Sequence, residues 1–147
     1  MDNSLKSVIF VKKESLMKTY EINGKEVHIG CYLHGTSSMY GGRHNLYKIR
    51  IEALGRVVFL RYHDSVANYL RGGYPLMEDV VRRLIEDSQE YASCRKMEVF
   101  AGKNRYDMDR ETASDFSDCS KAYHKLRSIL SPCDIDRLYE IAMEGQA

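Results

Sequence analysis

Ten residues between positions 28 and 63, eight on one expected sheet face and two in the loop beside it, carry groups that bind phosphate or stack on a flat ring. They are His28, Tyr32, His34, Arg43, His44, Lys48, Arg50, Phe59, Arg61 and His63. Lysine and arginine hold phosphate oxygens by charge, while Tyr, Phe and His stack on nucleobases. Readers of single-stranded RNA spread such groups over one face of a sheet. No RNP-type aromatic motif accompanies them here, so residue types rather than a motif point to a polyanion. The plainer alternative is a set of ordinary exposed strand residues, or rings packed under a loop or a subunit.

The elements that must position these groups are strands. Met17–Ile22 and Lys25–Leu33 flank Asn23-Gly24, a strong hairpin signal because both residues accept the positive φ of a type I′ turn. A two-residue loop pairs Tyr20 with Val27 and Thr19 with His28. Tyr20, Ile22, Val27, Ile29, Cys31 and Leu33 then share the core face, and His28, Gly30, Tyr32 and His34 share the other. Gly35–Arg43 reads as a flexible connection. Asn45–Ala53 and Arg56–His63 follow, around Leu54-Gly55. A two-residue loop there aligns Tyr47, Ile49 and Ile51 with Val58, Leu60 and Tyr62, and puts Lys48, Arg50, Phe59, Arg61 and His63 opposite. Ser7–Lys13 and Arg95–Ala101 are further strand-like runs.

After residue 63 the hydrophobic period changes from 2 to 3.6. A short helix is expected over Val66–Arg71, closed by Gly72-Gly73. Pro75 suits a first helical position, and Leu76, Met77, Val80, Val81, Leu84 and Ile85 form a core stripe to about Ala92. Glu78–Arg82 and Asp79–Arg83 have i,i+4 spacing. Gly102–Arg110 is a polar loop. A helix over about Glu111–Leu130 buries Phe116, Cys119, Tyr123, Leu126 and Leu130. Ser131-Pro132-Cys133-Asp134 is a helix start, and Gly145 an end,. The expected fold is α+β: an antiparallel meander of four to six strands, then three to four helices packed on one face. One domain is expected over 1–147, strand-rich and basic to about 63, helix-rich and acidic from about 64.

Two short patterns suggest catalysis. Leu33-His34-Gly35-Thr36 and Tyr62-His63-Asp64-Ser65 both read apolar-His-x-Thr/Ser at a strand end. The pair resembles the signature of two-histidine phosphoesterases. That resemblance implies His34 and His63 as acid and base, with Thr36 and Ser65 on phosphate oxygens. In that family helices separate the motifs, whereas here a loop and a hairpin do. The run Cys31–Thr36 also resembles the strand-borne His-Gly-Thr of some ADP-ribosyltransferases, which implies contact with a nicotinamide dinucleotide. Asp107, Asp109 and Glu111 could ligate a hard cation, although helix capping and a solvated loop account for them more simply. Gly41-Gly42 and Gly72-Gly73 lack the surroundings of a dinucleotide or Walker loop, so no cofactor and no metal are expected.

Composition narrows the class. The chain has 147 residues and a formal charge of +1. Residues 1–73 hold eleven Lys/Arg against six Asp/Glu, a balance of +5, and residues 74–147 hold eleven against fifteen, a balance of −4. The basic half suits a polyanion, and the acidic half limits non-specific adhesion. Apolar runs fall short of the roughly 20 residues a membrane span needs. The first residues lack the apolar core of a secretory signal. Cys31, Cys94, Cys119 and Cys133 have no metal-ligand spacing,. A protein of the cytoplasm, or of a host nucleus, and not a secreted one is expected. Eleven tyrosines and no tryptophan suit contact surfaces, a homodimer included. The leading reading is a small non-catalytic binding or regulatory protein. It would act through Tyr32, His34, Arg43, Lys48, Arg50, Phe59, Arg61 and His63, with a protein partner or a nucleic acid. A viral or mobile-element accessory or inhibitor protein fits that class. RNA binding and a phosphodiesterase or nucleotide-processing enzyme using His34 and His63 are the alternatives.

Overall fold

The computed structural model describes residues 15–38, 43–64, 74–93 and 110–145. Four strands form one antiparallel sheet in the order β1 (Ser15–Ile22), β2 (Lys25–Ser37), β3 (His44–Ala53) and β4 (Arg56–His63). Helices α1 (Met77–Ala92), α2 (Arg110–Ile129) and α3 (Pro132–Glu144) follow. The fold is thus α+β with a meander sheet. Ser7–Lys13, Val66–Arg71 and Arg95–Ala101, expected as strand, helix and strand, lie outside the described residues, as do Ser65, Cys94 and the acidic pair at 107 and 109.

Both tight turns have the expected two residues, and φ is positive at Asn23, Gly24, Leu54 and Gly55. Tyr20 pairs with Val27 and Thr19 with His28, while Tyr47, Ile49 and Ile51 face Tyr62, Leu60 and Val58. Side-chain alternation then puts one apolar set on one face. Tyr20, Ile22, Val27, Ile29, Cys31, Tyr47, Ile49, Ile51, Leu60 and Tyr62 are buried in a cluster that also takes Met77, Val80, Val81, Leu84 and Ile85 from α1, Leu126 and Ile129 from α2, and Ile135 and Leu138 from α3. Helix α1 packs on α2 and α3, α2 runs along β4, and α1 and α3 reach β1.

Three expectations need correction. Strand β2 does not end at Leu33. A bulge between Leu33 and Gly35 leaves His34 as the extra residue, and Gly35, Thr36 and Ser37 then pair with Leu46, Asn45 and His44. Leu33 is therefore half exposed, at 47%, rather than in the core. Helix α1 starts at Met77 with Leu76 as N-cap, and Leu76 is exposed. Finally, Glu78 is drawn to Lys18 (3.0 Å), so the helical pairs are Arg82–Asp79 and Arg83–Asp87 instead.

Helix α3 starts as its sequence requires. The Ser131 hydroxyl accepts from the Asp134 amide, the Asp134 carboxylate accepts from the Ser131 amide, and Pro132 occupies the first turn, which satisfies donors that a helix start leaves open.

Candidate anion-binding cleft

Helix α2 presents Asp118, Lys121 and Lys125 on one side, spaced i, i+3 and i+7, next to the buried Cys119, Ala122 and Leu126. The buried residues dock the helix, and the polar row then meets edge strand β4. Lys125 Nζ donates to the Phe59 carbonyl at 2.7 Å, and Arg61 Nη2 donates to Asp118 Oδ1 at 2.9 Å. Among the described residues β4 is the last strand of the sheet, and α2 packs along it.

A cleft of about 240 Å³ opens between the two elements. Buried Tyr47 and Leu60 form its floor, and its walls are His34, Lys48, Phe59, Arg61, Lys121 and Lys125. None of these lining residues is acidic. Lys48 Nζ lies 4.5 Å from the centre of the Phe59 ring, a cation–π arrangement that holds the ammonium on the sheet face. Pockets for drug-sized ligands run to roughly 300–1,000 Å³, so this cleft suits a phosphate group with one ring rather than a large cofactor.

Behind Arg61 lies a second group. His44 Nε2 and His63 Nδ1 are 2.9 Å apart, and His63 Nε2 is 3.6 Å from Asp118 Oδ2. A hydrogen bond between two imidazoles needs one nitrogen to accept, so at least one ring is neutral when it forms. His44 is only 2% exposed. Burial pushes the Asp118 carboxyl up, but the nearby His63 ring and the Arg61 hydrogen bond outweigh it and leave the group below its ordinary value. Asp118 is thus an anion that fixes Arg61 at the cleft wall. The adjoining cavity, lined by His63, Arg83, Asp87, Asp115 and Asp118, has about 20 Å³, room for one water.

The residues singled out from sequence divide between these places. His34, Lys48, Phe59 and Arg61 meet in the cleft. His63 turns away into the His44–Asp118 array, so His34 and His63 line different cavities. Thr36 is exposed on the strand beyond the bulge. Arg50 is paired with Glu52 at 3.1 Å, and Arg43 is exposed just before β3. Tyr32 lies on the same sheet face nearer β1, its hydroxyl 3.7 Å from Met17 Sδ. His28 shares a 2.9 Å hydrogen bond with Thr19. Sequence reasoning missed Lys121, Lys125 and Asp118. The available signal was their i, i+3, i+7 spacing beside a buried helical stripe.

Among the described residues no group of three or more His, Cys, Asp or Glu side chains is arranged to hold a metal ion, and no helix is long and apolar enough to cross a membrane. Burial pushes the Cys31 thiol up to about 12, which removes it as a nucleophile at neutral pH. Comparison with family models, with curated proteins and with solved structures returns no match.

Proposed function

We propose that the protein is a non-catalytic binding module, and that the β4–α2 cleft takes a phosphate-bearing ligand with a flat ring, of which a nucleotide is the simplest example. The observation that carries this is the lining: Lys48, Arg61, Lys121 and Lys125 surround one space together with the Phe59 ring, with no acid among them. Like charges are held together there by separate anchors. Asp118 holds Arg61, the Phe59 carbonyl holds Lys125, and the Phe59 ring holds Lys48. The Arg61 and Lys125 anchors pre-position two of these donors, which lowers the ordering cost of binding an anion.

The geometry favours binding over hydrolysis. Acid–base cleavage of a phosphodiester needs two titratable groups within reach of one substrate, and His34 and His63 line different cavities. The test is a nuclear magnetic resonance titration with 5′-AMP and with pyrophosphate at about 50 mM salt. Amide shifts are expected at Lys48, Phe59–Arg61 and Lys121–Lys125. Shifts confined to other parts of the sheet, or none at millimolar ligand, overturn the reading.

A further inference from the structure

The outer face of the sheet extends from the cleft toward β1, and its register arranges more than charge. Two rows cross the strands. One runs Tyr32, Lys48, Arg61, and the next runs Met17, Gly30, Arg50, Phe59. Tyr32 leans along its strand into the second row. A Cβ placed on Gly30 would meet the far end of the Tyr32 ring at 2.8–3.0 Å. Glycine is what leaves room for that ring, and Met17 Sδ meets its hydroxyl from the next strand. Two aromatic rings therefore sit two strand spacings apart, roughly 9–10 Å, with Lys48 and Arg50 on the strand between them. Met17, Lys48, Phe59 and Arg61 are all exposed on this face.

We infer that the ligand of this face is a single-stranded nucleic acid, which places one base on Phe59 at the cleft and a neighbouring base on Tyr32 over Gly30. The inference rests on the phosphate reading of the cleft and extends it from one nucleotide to a chain. Charge complementarity names the occupant: Lys48, Arg61, Lys121 and Lys125 meet a polyanion, while the rings meet its bases. Phe59 and Tyr32 can take only bases that are unstacked from one another, so a single strand fits and a duplex does not. Lys48, which covers the Phe59 ring in the free protein, moves to a phosphate when a base takes its place. Stacking reads the flat face of a base, so little sequence preference follows.

The experiment is fluorescence anisotropy with labelled oligouridylate and oligothymidylate of one, two, four and ten nucleotides, with 5′-AMP as the one-site reference. Affinity is expected to rise from one nucleotide to four, and a ten-base-pair duplex is expected to compete poorly. Tyr32→Ala should weaken the four-nucleotide ligand about tenfold and leave 5′-AMP unchanged. Gly30→Ala keeps the tyrosine but displaces its ring. It should weaken the longer ligand to a similar extent, and the double variant should lose no more than either single one. Circular dichroism of each variant checks that it is folded. If 5′-AMP binds but the oligomers bind no tighter, the cleft stands and the chain inference fails. If neither binds, both fail. Duplex binding as tight as single-strand binding also overturns the inference.

Discussion

At the scale of single residues, the chain tolerates one costly conformation and makes good use of another. Gly30 gives up its side chain so that the Tyr32 ring can lie over it. Leu54 is the costly case. It has φ of 54° in the β3–β4 turn and is 71% exposed, so it carries left-handed strain with no packing in return. Left-handed backbone costs an L-residue with a Cβ on the order of 1 kcal/mol, and asparagine tolerates it best. Leu54→Asn should therefore raise stability by about 0.5–1 kcal/mol in urea unfolding, with unchanged m. A loss of stability would mean that Leu54 packs against something in solution. The equivalent position of the first turn already holds Asn23, and that is why the first hairpin was easier to read than the second.

At the scale of elements, one carboxylate ties the first hairpin to the last helix. Asp134 caps α3 and also accepts from Lys25 Nζ at 2.7 Å and from Asn23 Nδ2 at 2.8 Å. The Lys25 and Asn23 hydrogen bonds hold its carboxyl at about 2, against an ordinary 3.8. The folded chain therefore binds fewer protons at this site than the unfolded chain does. Its stabilisation is fully present above about pH 5 and is lost as the pH falls toward 2. Asp134→Asn should lower stability at neutral pH by on the order of 1–2 kcal/mol, and should flatten the decline between pH 5 and 2. An unchanged pH slope would show that other carboxylates set it. The Ser131–Asp134 start was legible because a cap is encoded in neighbouring residues. The partner of Asp134 was not, since Lys25 lies more than a hundred positions away. The bulge at His34 was hidden as well. It depends on how β3 pairs with β2 beyond Leu33, and nothing in Leu33-His34-Gly35 announces an extra residue.

At the scale of the whole molecule, the helices cover one face of the sheet and edge strand β4, and the cleft exists only because α2 docks there. That explains how much of the site the sequence revealed. The alternation of β3 and β4 exposed Lys48, Phe59 and Arg61 as one face. Lys121 and Lys125 join them through tertiary docking across some sixty positions: their spacing marks one face of α2, but not the strand that this face meets. His63 shares the parity of Arg61, yet Asp118 and His44 draw it out of the cleft. The basic first part and the acidic second part also do not act separately: two lysines of the acidic part complete the basic site, while its Asp118 holds Arg61 at the cleft wall. The most direct measurement is calorimetric titration of 5′-AMP into the protein and into Lys121→Glu, at about 50 and 200 mM salt. Lys121 is exposed on α2, so its reversal should leave the melting temperature unchanged. The cleft predicts wild-type binding that weakens with salt, and a loss of about fivefold or more in the variant at low salt. Equal affinity of the two proteins would contradict it.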